Sequence, residues 1–322
     1  MGAPSRLGIK QRIRGAALGL ALRSQRRKIP PAGKPPDRIL VVRPDHLGDL
    51  LLSTPALRLL RTAVPHAQIT LLTGPWNAEA AGHITSVDEV ATIEFPWFDR
   101  RQHIPPWNPY LIMRQAAAAL RDSQFNAAVI LRHDFWYGAA LAAAAGIPLR
   151  TGYDLPETRP FLTELVPFPG EQHEAAQAYE LVRAAFAPST DALPGPAIFQ
   201  VTPQERAEAG RWLSENAATG PVFAVHPGAG AAVKLWGAEP FGALVRALRD
   251  QYRATVVLTG GNTERRLVEQ IASRAGGAVP ELLGAPLGVL AAVLQSCTIA
   301  VGVDSGIMHL AAAVGTPPVR LF

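Results

Sequence analysis

From Arg38 to the end of the chain, short apolar runs alternate with longer segments of helical period. "RILVVR" (38–43) reads as a buried strand, and "LLSTPALRLLRTAV" (51–64) as helical, with Pro55 starting or kinking a turn. Strands follow at "AQITLLTG" (67–74), at the end of "VDEVATIEF" (87–95), at "FNAAVILR" (125–132) and at "LRTGYD" (149–154). Helices fall among them at "NPYLIMRQAAAALRDS" (108–123) and "WYGAALAAAAG" (136–146). The period is lost over "FAPSTDALPGPAIFQ" (186–200), where Pro, Gly, Ser and Asp cluster. It restarts with "TPQERAEAGRWLSENAA" (202–218), a helix with Thr202 as N-cap and Pro203 at its first position. Strands at 221–228, 254–261, 298–304 and 317–322 then alternate with helices at 238–252, 263–276, 286–297 and 306–315. Such alternation predicts an α/β chain of two domains, each a parallel sheet covered by helices. The expected divisions are 1–37 (extension and linker), 38–190 (first domain) and 191–322 (second domain).

Charge changes this picture in one place. Residues 1–38 hold ten Lys/Arg and one acid, a charge of +9, while the whole chain carries +5, so the remainder is −4. The basicity belongs to a tail, which argues against nucleic acid as a partner of the folded part. The tail has an apolar centre, "GAALGLAL" (15–22), between basic flanks. It reads either as a solvated extension or as a segment lying on an anionic membrane surface. The "RSQRRKIPP" that follows speaks against a cleaved signal peptide, and "IPPAGKPPD" (29–37) reads as a semi-rigid linker into the first strand. No run of eighteen apolar residues is present to span a membrane. The single cysteine, Cys297, forms no internal disulfide and fits a reducing cytoplasm.

In open parallel sheets ligands bind beyond the carboxyl ends of the strands, so the strand-to-helix loops carry the candidate chemistry. Neither half has G-x-G-x-x-G after its first strand and G-x-x-x-x-G-K-[ST] is absent, which argues against a dinucleotide oxidoreductase or a P-loop NTPase. In "RPDHLGDLL" (43–51), Asp49 is either an acid complementing a helix dipole or a general base. "HPGAGAAVKLWGAEPF" (226–241) offers small residues, backbone N–H groups and Lys234, which is otherwise an ordinary solvated lysine; Trp236 and Glu239 start and pack the next helix. In "TGGNTERRL" (259–267), Asn262 or Thr263 caps a helix with Glu264 in its first turn, where a carboxylate can accept hydrogen bonds from a ribose diol. In "VGVDSGIMHLAAAVGTP" (301–317), a strand ends at Asp304, and Ser305 and Gly306 open a helix whose N-terminal amides can bind an anion. The plainer readings there are N-capping for Asp304 or Ser305 and a core histidine for His309. Together the last three loops describe a nucleotide-diphosphate site. No acid pair or His/Cys cluster suggests a metal, so a lysine and amides would neutralise the leaving group.

"RPDHLGDLLLSTPALRLLR", "VHPGAGAAVKLWGAEPFGALV" and "GVDSGIMHLAAAVGTP" resemble the heptosyltransferases of lipopolysaccharide core synthesis, glycosyltransferase family 9, in family order from about Arg38 to Phe322. The resemblance implies a GT-B fold, with two Rossmann-like domains facing a cleft. It implies inverting, metal-independent transfer from ADP-heptose to a lipid-linked saccharide, with no cofactor beyond the nucleotide-sugar, in the cytoplasm or at the inner face of its membrane. By position, Asp49 matches the acid proposed as base, Lys234 a lysine on the donor phosphate, Glu264 an acid on the adenosine ribose, and Asp304 an acid near the donor sugar. Ser305, Gly306 and His309 fall in that same donor-site loop, and Asp45 and His46 read as acceptor-side lining. "EQHEAAQAYELV" (171–182) resembles a helix preceding the second domain, where His173 and Glu174 read either as facing the acceptor or, more plainly, as ordinary helix packing. His46 departs from the small hydroxyl residues of some members, and Gly237 from a usual proline. Most members continue past the strand that ends here at Phe322, so a truncated or minimal version is expected. The rival readings are a nucleotide-sugar epimerase of the same fold and a non-catalytic sugar-binding relic.

Overall fold

The structure, a computed structural model, describes residues 35–98, 107–170, 172–216 and 220–322. The basic extension, with its reading as a membrane-surface segment, lies outside the described residues as far as residue 34.

The first sheet is built from β1 (Arg38–Val42), β2 (Gln68–Thr73), β3 (Glu89–Thr92), β4 (Ala127–Ile130), β5 (Leu149–Tyr153) and β6 (Glu164–Val166). All pairings are parallel, in the order β3-β2-β1-β4-β5-β6. β1 and β4 lie centrally and are buried along nearly their whole length, which is why they read as continuous apolar runs. The chain leaves β1 through two helices rather than the one expected, α1 (Leu47–Leu52) and α2 (Thr54–Ala63). Ser53 separates them, and Pro55 sits in the first turn of α2, where its missing N–H costs nothing. The remaining helices of this half are α3 (Ala78–Ala81), α4 (Asn108–Asp122), α5 (Trp136–Ala144) and α6 (Glu174–Phe186).

The second sheet comprises β7 (Val222–His226), β8 (Thr255–Gly260), β9 (Glu281–Leu283), β10 (Ile299–Val303) and β11 (Pro318–Leu321), parallel throughout in the order β11-β10-β7-β8-β9. With it go α7 (Pro203–Glu215), α8 (Ala238–Tyr252), α9 (Arg265–Arg274), α10 (Leu287–Gln295) and α11 (Gly306–Ala313). Thr202 and Glu205 form a reciprocal capping box at the start of α7, as the Thr-Pro start predicts. Phe241 and Val245 of α8, Val268 and Ile271 of α9, and Val225, Leu258 and Val303 of the sheet form one core. In the first half the corresponding core joins Leu40, Val42 and Ile130 to Met113, Leu120, Leu141 and Phe161.

The chain divides into two compact units. One holds the described residues up to Asp45, with Ser53–Ala81 and Thr85–Gly195; the other holds His46–Leu52, Gly82–Ile84 and Pro196–Phe322. Helix α1 therefore belongs to the second unit, although it follows β1 in the chain. Each sheet changes winding direction between two adjacent strands, β1 and β4 in the first and β7 and β10 in the second. Such switch points are where open α/β sheets bind ligands. Among the described residues, no helix is long and apolar enough to cross a membrane.

Candidate functional site

At the switch point of the second sheet, the loops after β7 and β10 lie side by side. The loop after β7 carries Lys234 on the short turn Ala232–Lys234. Its Nζ donates to Oδ2 of Asp304, just past β10, at 2.5 Å. The hydrogen bond from Lys234 holds the Asp304 carboxyl below its ordinary range, with the charges of Lys234, of His309 when protonated and of Arg320 adding to it against a burial cost. Both side chains keep substantial exposure, 47% and 30%, so an arriving anion can compete for the lysine. Trp236 packs edge-on against Phe241, and Glu239 pairs with Arg274, so the flanking residues do anchor α8.

Asp304 is followed by Ser305, which holds the N-cap position of α11 in extended backbone without a side-chain capping bond. Ser305 therefore caps by position alone, and the Asp304 carboxylate is held by Lys234 instead. The Ser305 hydroxyl is buried and has no hydrogen-bond partner among the described residues. An orphan hydroxyl beside the free amides of a helix start is a feature that calls for a ligand.

Glu264 sits at the N-cap position of α9, one residue before the first turn expected for it, and makes no capping bond to the helix. Its carboxylate instead turns back, accepting from the Gly261 N–H at 2.9 Å and the Thr263 hydroxyl at 2.8 Å. Three glycines make room for it. A Cβ on Gly228 would stand 2.7 Å from Glu264 Cγ, one on Gly261 2.9 Å from Oε2, and one on Gly260 3.1 Å from Cβ. Beneath this cradle lies His226, a residue the sequence reading passed over. It ends β7, is buried, and places Nδ1 3.0 Å from the Thr259 hydroxyl. Burial pulls its pKa down to about 4, so the ring is neutral at physiological pH.

Asp49 lies in the first turn of α1, and the carbonyl of His46 accepts that helix's opening bond from Leu50. The N-terminal turns of α1 and α11 meet through glycines. A Cβ on Gly306 would stand 3.1 Å from Leu47 Cβ, and one on Gly48 3.0 Å from His309 Cδ2. His309 thus packs against the residue preceding Asp49, rather than serving as a plain core histidine. Asp49, Lys234, Glu264, Asp304, Ser305, Gly306 and His309 all lie in the second unit.

Asp45 does not line a surface as expected. It is 3% exposed, with its carboxylate paired to Arg43 Nε at 3.0 Å and to Arg132 Nη1. Its carbonyl accepts from Trp76 Nε1 and Asn77 Nδ2. A buried carboxylate requires such compensation, and two guanidinium groups supply it. Arg43 also reaches Glu174 at 3.0 Å, while His173 caps α6 by accepting from the Ala175 N–H. These contacts join the loops after β1 and β4, the switch point of the first sheet. His46 is exposed.

The model of glycosyltransferase family 9 (heptosyltransferase) matches residues 113–322. The chain belongs to this family. It is a glycosyltransferase of the GT-B fold. Among characterised proteins it is similar to lipopolysaccharide heptosyltransferase 2 of Escherichia coli (strain K12), with 26% identity over 304 residues, 88% of this chain and 82% of that protein. Of solved structures, a family 9 glycosyltransferase from Veillonella parvula superposes with a TM-score of 0.77 at 23% identity, covering 89% of this chain and 80% of that one. The ADP-heptose lipopolysaccharide heptosyltransferase II of E. coli gives 0.72 at 22% identity over 88% and 84%. An E. coli heptosyltransferase holding ADP-2-deoxy-2-fluoro heptose gives 0.69 at 21% identity over 88% of each chain.

Proposed function

We propose that this family 9 enzyme moves a heptose-type sugar from an ADP-sugar to a lipid-linked saccharide of the lipopolysaccharide core type, with inversion and without a metal ion. The observation that carries the reading is the convergence of the Lys234–Asp304 pair, the orphan Ser305 hydroxyl at the start of α11 and the glycine-cradled Glu264 on the carboxyl edge of one sheet. A diphosphate needs the first two and a ribose diol suits the third. Similarity to lipopolysaccharide heptosyltransferase 2 supports the choice of sugar and acceptor.

In the proposed reaction Asp49 takes the proton of the acceptor hydroxyl as its oxygen bonds to the anomeric carbon. The bond from that carbon to the diphosphate breaks on the opposite face, and its electron pair leaves with ADP. Lys234 and the amides that open α11 meet the charge developing on the leaving phosphate. Lys234 is freed for this by exchanging Asp304 for the phosphate.

A thermal-shift series with ADP-, UDP-, GDP- and dTDP-sugars tests the donor class, since only a ligand of the native state raises its stability. The expected result is a selective rise of several degrees with ADP-sugars. An equal or larger rise with another nucleotide would overturn the donor assignment.

A further inference from the structure

Arg320 stands on β11, in register with Gly302 of β10, and has no role in the mechanism above. Its Nη2 lies 3.3 Å from Nδ1 of His309. A guanidinium carries only donors and stays protonated at any accessible pH, so Nδ1 must be the acceptor in this pair. A neutral imidazole that accepts at Nδ1 carries its proton on Nε2. Gly48 of α1 packs over the Cδ2 side of the same ring: a Cβ there would stand 3.0 Å from Cδ2 and 3.5 Å from both Cγ and Nε2. The ring is thus held between the arginine on one side and the turn bearing Asp49 on the other, one helical turn past Asp304 and its partner Lys234.

We propose that Arg320 is a positioning residue that fixes His309 as the Nε2–H tautomer, so that the imidazole presents a hydrogen-bond donor to the nucleotide-sugar. A wrongly placed proton would present a lone pair to the diphosphate or sugar oxygens and repel them. The functional half of this inference rests on the donor-site reading of the loop from Asp304 to His309; the tautomer itself does not.

The test is nitrogen NMR of the full chain at pH 8, with the His309 signals assigned by their loss in His309→Gln, together with ADP affinity measured by titration calorimetry. The parent and Arg320→Lys should show Nδ1 unprotonated and Nε2 protonated. Arg320→Met should populate both tautomers. ADP affinity should fall about tenfold in Arg320→Met, the scale of one lost hydrogen bond, and recover to within about threefold in Arg320→Lys. In the His309→Gln background, Arg320→Met should cost less than about twofold, because a residue acting through another has nothing further to lose. A proton on Nδ1 in the parent overturns the proposal. So does a full tenfold loss in the His309→Gln background, which would make Arg320 a direct contact. A parent with the expected tautomer that does not bind ADP would count against the donor reading and leave the hold of Arg320 on the ring upheld.

Discussion

His226 ends β7 with its ring buried, and burial lowers its pKa from 6.5 to about 4. Between those values the unfolded chain binds a proton that the folded chain refuses. Stability therefore rises with pH across the window. The contribution is complete above about pH 6.5, shrinks as pH falls to about 4, and changes no further below. With 1.36 kcal/mol per unit, the window is worth roughly 3 kcal/mol. The depressed carboxyl of Asp304 acts lower down: its contribution is present above its unfolded value of 3.8 and is lost as pH falls through the lower folded value. Denaturant unfolding at pH 5 and pH 7 should show a marked gain for the parent and a much flatter response for His226→Gln. An equally steep response in the variant would mean other groups carry the slope. His226 was hard to see in the sequence because "HPG" reads as a strand running into a loop; only the approach of Thr259 and Glu264 shows what surrounds it. Arg43 and Arg132 were equally hidden, since Arg132 meets Asp45 across 87 positions of chain. Asp49, Lys234 and Asp304 could be singled out because strand ends and helix starts are local signals, but those signals left each a plainer reading, and only the resemblance gave them roles.

At the scale of elements, the junction of α1 and α11 depends on two missing side chains. Gly48 lies against the His309 ring and Gly306 against Leu47. Gly48→Ala would push a methyl into Cδ2 at 3.0 Å, inside ordinary contact, so the ring or the helix must move. The expected cost is about 1–3 kcal/mol, the usual range for overpacking, read as a lowered unfolding midpoint with a loss of ADP affinity. An unchanged midpoint and affinity would show that the ring has room to yield. The strand and helix order was legible from period alone, because central parallel strands are continuous apolar runs and their helices are amphipathic. The two strands that escaped, β6 and β9, are three-residue edge strands. β6 is mostly exposed and takes its extended form from pairing with β5, so no pattern of its own marks it. The Ser53 break escaped because the apolar positions of α1 and α2 run on without interruption, and Pro55 alone did not say on which side of it the helix restarts.

For the molecule as a whole, two parallel sheets with separate cores, each wound in both directions from a central strand, follow from the alternation of runs along the chain. What period could not show is that α1 goes with the second unit. That grouping gathers Asp49 with every proposed donor residue, and it is the basis for treating them as one machine. The most direct measurement is the release of ADP from ADP-heptose in the presence of a lipid-linked core acceptor, taken alongside donor binding, for the parent, Asp49→Asn and Lys234→Ala. Release by the parent should depend on the acceptor. Asp49→Asn should lower turnover by about 10²–10⁴ with donor affinity within about twofold. Lys234→Ala should weaken donor affinity by about ten- to a hundredfold, the scale of one charge-assisted hydrogen bond. Near-parental turnover in Asp49→Asn, or release by the parent that ignores the acceptor, would contradict the proposed reaction.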